Sequence, residues 1–373
     1  MKVGILTHYL HYGYGGVIQN YALQTVLKSF GHETVTLRCA YNKKTSPFFK
    51  TKALLSKVAH ILLRIDTRSI TPKQDAFISK NVEPFIKEHI NVSCPNNSPS
   101  SFLRSSIEEK CEALIVGSDQ IWRRGFPYVE ECYLNFAQDL KVKKIAYAAS
   151  FSVDEWEYDN ELTERCRNLS QKFDAVSVRE QSAVDLCRRY LGISAEFVLD
   201  PTLLLEKEEY VKLYEESADK RNEGELFTYI LDKTAEKESI INKIIEKTGK
   251  KRYECMPYYS TTYFNIRKYP DECVYPPITQ WLRSISEADI VVTDSFHGMV
   301  FSIIFNKPFF VLVNEDRGAA RFNSLLGLFG LESRIINNIT DDDLSSIIDW
   351  HSVNLIRKEW KEKSISFLKN SLR

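Results

Sequence analysis

Short apolar runs alternate along most of the chain with segments whose apolar positions recur every three or four residues, a change of period that separates strands from amphipathic helices. The run KVGILTHY (2–9) reads as a buried strand. VIQNYALQTVLKSFG (17–31) reads as a helix, with Val17, Tyr21, Leu23, Gln24, Leu27 and Phe30 at helical spacing and Gly31 ending it. ETVTLRC follows as a second strand, and ALIVG (113–117), KIAYAAS (144–150), DAVSVRE (174–180) and AEFVLD (195–200) read as further strands. A second series opens after LDPTLLL (199–205). LFTYIL is a strand, AEKESIINKIIEKTG a helix and KRYECM a strand, and a Tyr/Pro-rich loop leads to ITQWLRSISEA, DIVVTD, GMVFSIIFN and PFFVLV. This alternation argues parallel sheets covered on both faces, and two series argue two α/β domains. The expected division is 1–203, 204–350 and a terminal amphipathic helix, 351–373, packing back.

Composition changes the picture mainly by exclusion. With 373 residues, 43% of them hydrophobic, the chain can fill two cores. Fifty basic residues balance fifty acidic ones, so nothing in the net charge calls for a nucleic-acid partner. The eight cysteines form no CxxC pair and no Cys/His cluster, which argues against structural zinc or a redox centre and fits a reduced, cytoplasmic protein. No metal or cofactor is expected. The opening residues lack a signal-peptide h-region, and no apolar run approaches the ~20 residues of a membrane span. One local anomaly remains: residues 43–73 hold eight Lys/Arg and a single acid, Asp66, among PFF and ALLSKVAHILLRI. A basic amphipathic helix of this kind suits the surface of an anionic membrane, and a helix docked on its own domain would give the same period.

Ligands of open α/β sheets collect beyond the carboxyl ends of strands. After the first strand, Gly13, Gly15 and Gly16 lead into the helix that carries Gln19, allowing backbone N–H groups to approach an anion. A glycine turn joining strand to helix is the plainer alternative. After ALIV, Ser118, Asp119 and Gln120 offer directional polar groups and Trp122 a flat face for a sugar, whereas a helix cap and a core tryptophan are the bland reading. Ser150 and Arg179 end two other strands. In VVTDSFHGMVF, Asp294 or Ser295 would cap a helix starting near His297 or Gly298, so that His297 projects from the first turn, where the helix dipole disfavours imidazolium and a bound anion restores it. Arg317 and Arg321, four apart, could fork around a carboxylate or phosphate.

The pieces YGYGGVIQNYALQ, GSDQIW, YAASF, SVRE, DPTLLL, DSFHGMVFSIIFNKPF and RFNSLLGLFGLESR, in this order, resemble the polysaccharide pyruvyltransferase family over nearly the whole chain. The resemblance implies two Rossmann-like domains facing across a GT-B-like cleft. It also implies transfer of the pyruvyl carbons of phosphoenolpyruvate onto sugar hydroxyls as a ketal during bacterial surface polysaccharide synthesis. It makes His297 the catalytic acid and assigns donor binding to Asp294, Ser295, Gly298, Arg317 and Arg321. The opposite, acceptor-facing wall would be Gly13, Gly15, Gly16, Gln19, Ser118, Asp119, Gln120, Trp122, Ser150 and Arg179. A lipid-linked acceptor would suit segment 43–73 and a site at the inner face of the membrane. The chain departs from the family where Arg-Leu-His-Gly is frequent and Ser295, Phe296, His297 and Gly298 stand here, and in Gly13, where asparagine is usual. A nucleotide-sugar glycosyltransferase and a non-catalytic sugar-binding scaffold are the competing readings.

Overall fold

The computed structural model describes residues 1–37, 70–93, 100–126, 128–217, 219, 224–313 and 318–373. Two parallel sheets organise them. The first holds β1 (Lys2–Leu6), β2 (Glu33–Thr36), β3 (Ala113–Val116), β4 (Lys143–Ala149), β5 (Ala175–Val178) and β6 (Glu196–Phe197) in the order β2-β1-β3-β4-β5-β6. The second holds β7 (Leu226–Tyr229), β8 (Arg252–Glu254), β9 (Ile290–Thr293) and β10 (Phe309–Val311) in the order β10-β9-β7-β8. All four residues of β3 and of β7 are buried, as strands covered on both faces require.

Both strand orders contain one reversal: β1 lies between β2 and β3, and β7 lies between β8 and β9. At such a point the connections on the two sides diverge and leave a crevice at the carboxyl ends of the central strands. In the first sheet that crevice receives the residues after β1 and β3, and in the second the residues after β7 and β9. The two crevices face each other.

Five helices position the site: α1 (Tyr14–Ser29), α2 (Ala235–Thr248), α3 (Phe296–Ile304), α4 (Ala320–Phe329) and α5 (Trp350–Ser371). Helix α1 starts three residues earlier than the apolar spacing suggests, because Gly13 in extended backbone serves as its N-cap and its carbonyl accepts from Val17 N (3.1 Å). It ends before Gly31, which turns the chain with φ +84°. All nine residues of α3 are buried, so this helix is apolar on every side and is covered by both domains. Strand β6 is shorter than its apolar run. After Phe197 the chain leaves the sheet edge, and Asp200 caps the turn that follows by accepting from Thr202 N (3.0 Å).

One hydrophobic cluster runs through both sheets. It joins Leu10, Tyr14, Val17 and Ile18 of the first domain to Phe227, Tyr229, Trp281 and Met299 of the second. The terminal helix α5 packs back on the first domain and the crossover: Ser364 Oγ accepts from Leu199 N (3.0 Å), Arg357 donates to Leu205 O (2.6 Å), and Trp360 meets Phe197 edge-on at 5.1 Å.

Candidate active site

His297 is the second residue of α3, after the strand β9 and the cap Ser295, whose Oγ accepts from Gly298 N at 3.4 Å. Its ring lies against the first turn of α1. A Cβ added to Gly15 would stand 2.6 Å from His297 Cγ, so any side chain at residue 15 displaces the imidazole. On the other side, His297 Nε2 is 3.8 Å from Asp200 Oδ2 and is buried without a hydrogen-bond partner. Burial lowers the His297 pKa below the ordinary imidazole value; Asp200 opposes this, and Arg179 adds to it.

Beneath the ring is a network of buried charge. Arg179 Nη1 donates to Asp200 Oδ2 (2.6 Å) and to Ser118 Oγ (3.2 Å), and Nη2 donates to Asp119 Oδ1 (3.3 Å). Ser118 Oγ in turn donates to Asp200 Oδ2 at 3.0 Å. Burial alone would raise both carboxyls. Arg179, with His8, His297 and Arg321, overcomes it at Asp119 and holds that group well below the usual range; His297, Arg179 and the Thr202 bonds do the same at Asp200. Glu180 behaves oppositely. It is fully buried, accepts from Ser150 Oγ, and is pushed upward by burial despite the neighbouring arginine.

The second domain contributes a cationic face. Phe296 has two guanidinium groups near its ring, Arg321 of the same domain at 5.6 Å and Arg179 of the first domain at 4.7 Å from its centre. With the Gln120 amide turned so that its oxygen faces α4, it accepts from Arg321 (3.0 Å) and from Ser152 Oγ (3.2 Å), tying the two walls together. Asp119, at φ +78°, uses Oδ1 for Arg179 and for Gln120 N (2.8 Å) and carries Oδ2 toward Gly16 and His8. His297, Arg321, Asp119 and Gln120 thus converge where the two crevices meet.

Several residues expected on the walls lie behind them. Trp122 is fully buried, stacks on Tyr133 at 4.7 Å and donates Nε1–H to Cys132 O (3.0 Å); it is a core residue and presents no face to a sugar. Gln19 is equally buried, donating to Thr7 Oγ1 (2.8 Å) and accepting from Ser118 N (3.2 Å), so it ties α1 to the turn after β3. Ser118, Ser150 and Arg179 support the wall from beneath, at 2% exposure or less. Asp294 is spent on its own domain, accepting from Leu231 N (2.6 Å), Asp232 N (3.0 Å) and Lys237 Nζ of α2 (2.6 Å). Gly298 is glycine because a Cβ there would come within 3.1 Å of Thr293 Cβ. Gly13 is a cap, and Gly15 and Gly16 belong to the first helical turn.

Arg317 lies outside the described residues, as does segment 43–73 apart from 70–73. Asp200 and Glu180 escaped the sequence reading. Glu180 stands two residues past the end of β5, in VREQ, and Asp200 three past the end of β6, in VLDP, and those positions were the available signal.

A sequence model of the family described as polysaccharide pyruvyl transferase matches residues 14–316. No curated protein matches the chain. Among solved structures, Arabidopsis thaliana UGT89C1 complexed with UDP-L-rhamnose is similar with a TM-score of 0.53 at 9% identity, covering 100% of this chain and 99% of that one. The same protein complexed with quercetin gives 0.52 at 8% identity, with the same coverage. The likeness is one of fold: two Rossmann-like domains in the GT-B arrangement.

Proposed function

The chain belongs to the polysaccharide pyruvyl transferase family, and from that premise we propose that it moves the pyruvyl group of phosphoenolpyruvate onto two hydroxyls of a sugar, as a cyclic ketal, during synthesis of a bacterial surface polysaccharide. The observation that carries the reading is the buried His297 at the N-terminus of α3, with the Arg321 guanidinium beside its neighbour Phe296. The reaction needs an acid beside an anion clamp.

In the proposed sequence His297, as imidazolium, gives its proton to the C3 methylene of the donor, and C2 becomes an oxocarbenium centre beside the donor carboxylate. One acceptor hydroxyl adds to C2 and loses its proton. The C2–O bond to phosphate then breaks, and phosphate leaves with its bonding electrons. The second hydroxyl closes the ring, so that one proton enters the new methyl group and one leaves with phosphate. Arg321 and the N–H groups at the start of α3 stabilise the negative charge of donor and leaving phosphate. His297 depends on that charge, since a bound dianion raises the pKa that burial lowers.

The acceptor is proposed to be a lipid-linked sugar, reached from the cytoplasmic side through segment 43–73. Among the described residues no helix is long and apolar enough to cross a membrane. Flotation with anionic liposomes at low salt tests that contact, and recovery of all the protein in the pellet fraction would end it.

Thermal unfolding with millimolar phosphoenolpyruvate, or with UDP- or GDP-sugars, tests the function itself. A rise with phosphoenolpyruvate alone supports pyruvyl transfer, and phosphate release should vanish in His297→Ala. A rise with a nucleotide sugar alone would replace this reading with a glycosyltransferase.

A further inference from the structure

We infer that Asp200 is a positioning residue that keeps His297 protonated on Nε2 and leaves Nδ1 as the nitrogen that exchanges a proton with the substrate. The inference rests on His297 being the acid of the proposed reaction, and it says which face of the ring works.

Asp200 is 1% exposed and held at both oxygens. Oδ1 accepts from Thr202 N (3.0 Å) and Thr202 Oγ1 (2.7 Å), and Oδ2 accepts from Arg179 Nη1 (2.6 Å) and Ser118 Oγ (3.0 Å). Four donors fix an ionised carboxylate where the chain crosses from one domain to the other. Among the described residues, Asp200 is the carboxylate within 4 Å of the His297 ring.

The ring nitrogens face unlike surroundings. Nε2 is buried, has no hydrogen-bond partner and stands 3.8 Å from Asp200 Oδ2. Hydrogen bonds of this type are made at roughly 2.7–3.2 Å, so a closing shift of less than about 1 Å between α3 and the crossover would make the bond. A buried N–H that lacks an acceptor is costly, and that cost favours the shift. Gly15 in the first turn of α1 lies over the face of the ring, where a Cβ would stand 2.6 Å from Cγ and 2.8 Å from Cε1, so with Nε2 turned to Asp200 it is Nδ1 that remains for the substrate. Of the charged groups around the ring, Asp200 and Asp119 favour imidazolium, and Arg179 and Arg321 oppose it.

In the step, the Nδ1–H bond breaks and the C3–H bond of the donor forms, while Nε2 keeps its hydrogen against Asp200. The ring passes from imidazolium to the Nε2–H tautomer without turning. Were Asp200 absent, the imidazolium would lose the carboxylate that favours its charge, and the neutral ring left after the step would have no acceptor to hold its hydrogen on Nε2.

The test uses the full chain labelled with ¹⁵N-histidine and needs no substrate. The His297 signals are those missing from His297→Gln. Above its titration midpoint, wild-type His297 should be the Nε2–H tautomer; in Asp200→Asn the midpoint should fall, and kcat should drop by about 100-fold or more with little change in donor KM. An Nδ1–H tautomer in the wild type would overturn the inference, as would a folded Asp200→Asn with unchanged midpoint and kcat. Should Asp200→Asn fail to fold, the wild-type tautomer still decides. If phosphoenolpyruvate proves not to be the donor, its thermal shift disappears while the tautomer result stands, so the two failures are told apart.

Discussion

At the scale of single residues, the proposed function places the acid on a histidine whose charge would depend on what is bound beside it. With the cleft empty, burial holds the His297 pKa below the ordinary 6.5. An imidazolium that donates its proton loses activity as pH rises through its pKa, so the high-pH limb of each profile reports His297. For kcat/KM the limb reflects the free enzyme, where burial dominates; for kcat it reflects the complex, where the donor's charge raises the value. The expected outcome is a kcat limb at higher pH than the kcat/KM limb, measured by phosphate release across pH 5 to 9 at constant ionic strength, roughly the window in which histidine titrates. Coincident limbs would mean that the donor's charge does not reach the ring. The sequence made His297 legible because a histidine two residues past VVTDS falls in the first helical turn whether Asp294 or Ser295 is the cap. It left Asp200 illegible because its partners, Arg179 and Ser118, lie 21 and 82 positions away and meet it through sheet order alone.

At the scale of elements, the apolar periods gave most strands and helices, since parallel strands are near-continuous apolar runs and helix faces are amphipathic. What the periods did not give is the direction of side chains in the turns after strands. Trp122 illustrates this. In GSDQIW it follows Asp119 by three residues in the same turn, yet the left-handed Asp119 backbone (φ +78°) separates the two: Asp119 stays with the cleft and Trp122 enters the core against Tyr133 and Phe151. The same logic holds for Ser118, Ser150 and Arg179, which end strands and point under the wall. Trp122→Ala should therefore destabilise the protein by about 3–5 kcal/mol in denaturant unfolding, while the folded fraction keeps its acceptor KM. An unchanged midpoint with a raised acceptor KM would return Trp122 to the ligand wall.

At the scale of the whole molecule, the two sheets do not behave as two bodies on a tether. Tyr14 of α1 packs against Trp281 at 5.5 Å and Tyr229 at 6.2 Å, and its hydroxyl donates to Pro276 O at 2.8 Å. Tyr12 stacks on Tyr275 at 4.4 Å, and Gln181 N donates to Ser324 Oγ of α4 (3.0 Å). Domains that share a small polar interface move freely, but a wide apolar one resists opening. This interface lies directly behind Gly15 and His297, so the first turn of α1 and the first turn of α3 are held in register by the same cluster that joins the domains. Unfolding should accordingly be one cooperative transition in calorimetry, with the calorimetric and van't Hoff enthalpies equal. Tyr14→Ala removes the ring at the centre of the interface and should lower the midpoint and split the transition in two, with His297 activity lost alongside the coupling. Two transitions in the wild-type chain would show that the shared core does not couple the domains, and the register of His297 against Gly15 would then have to come from the ligand.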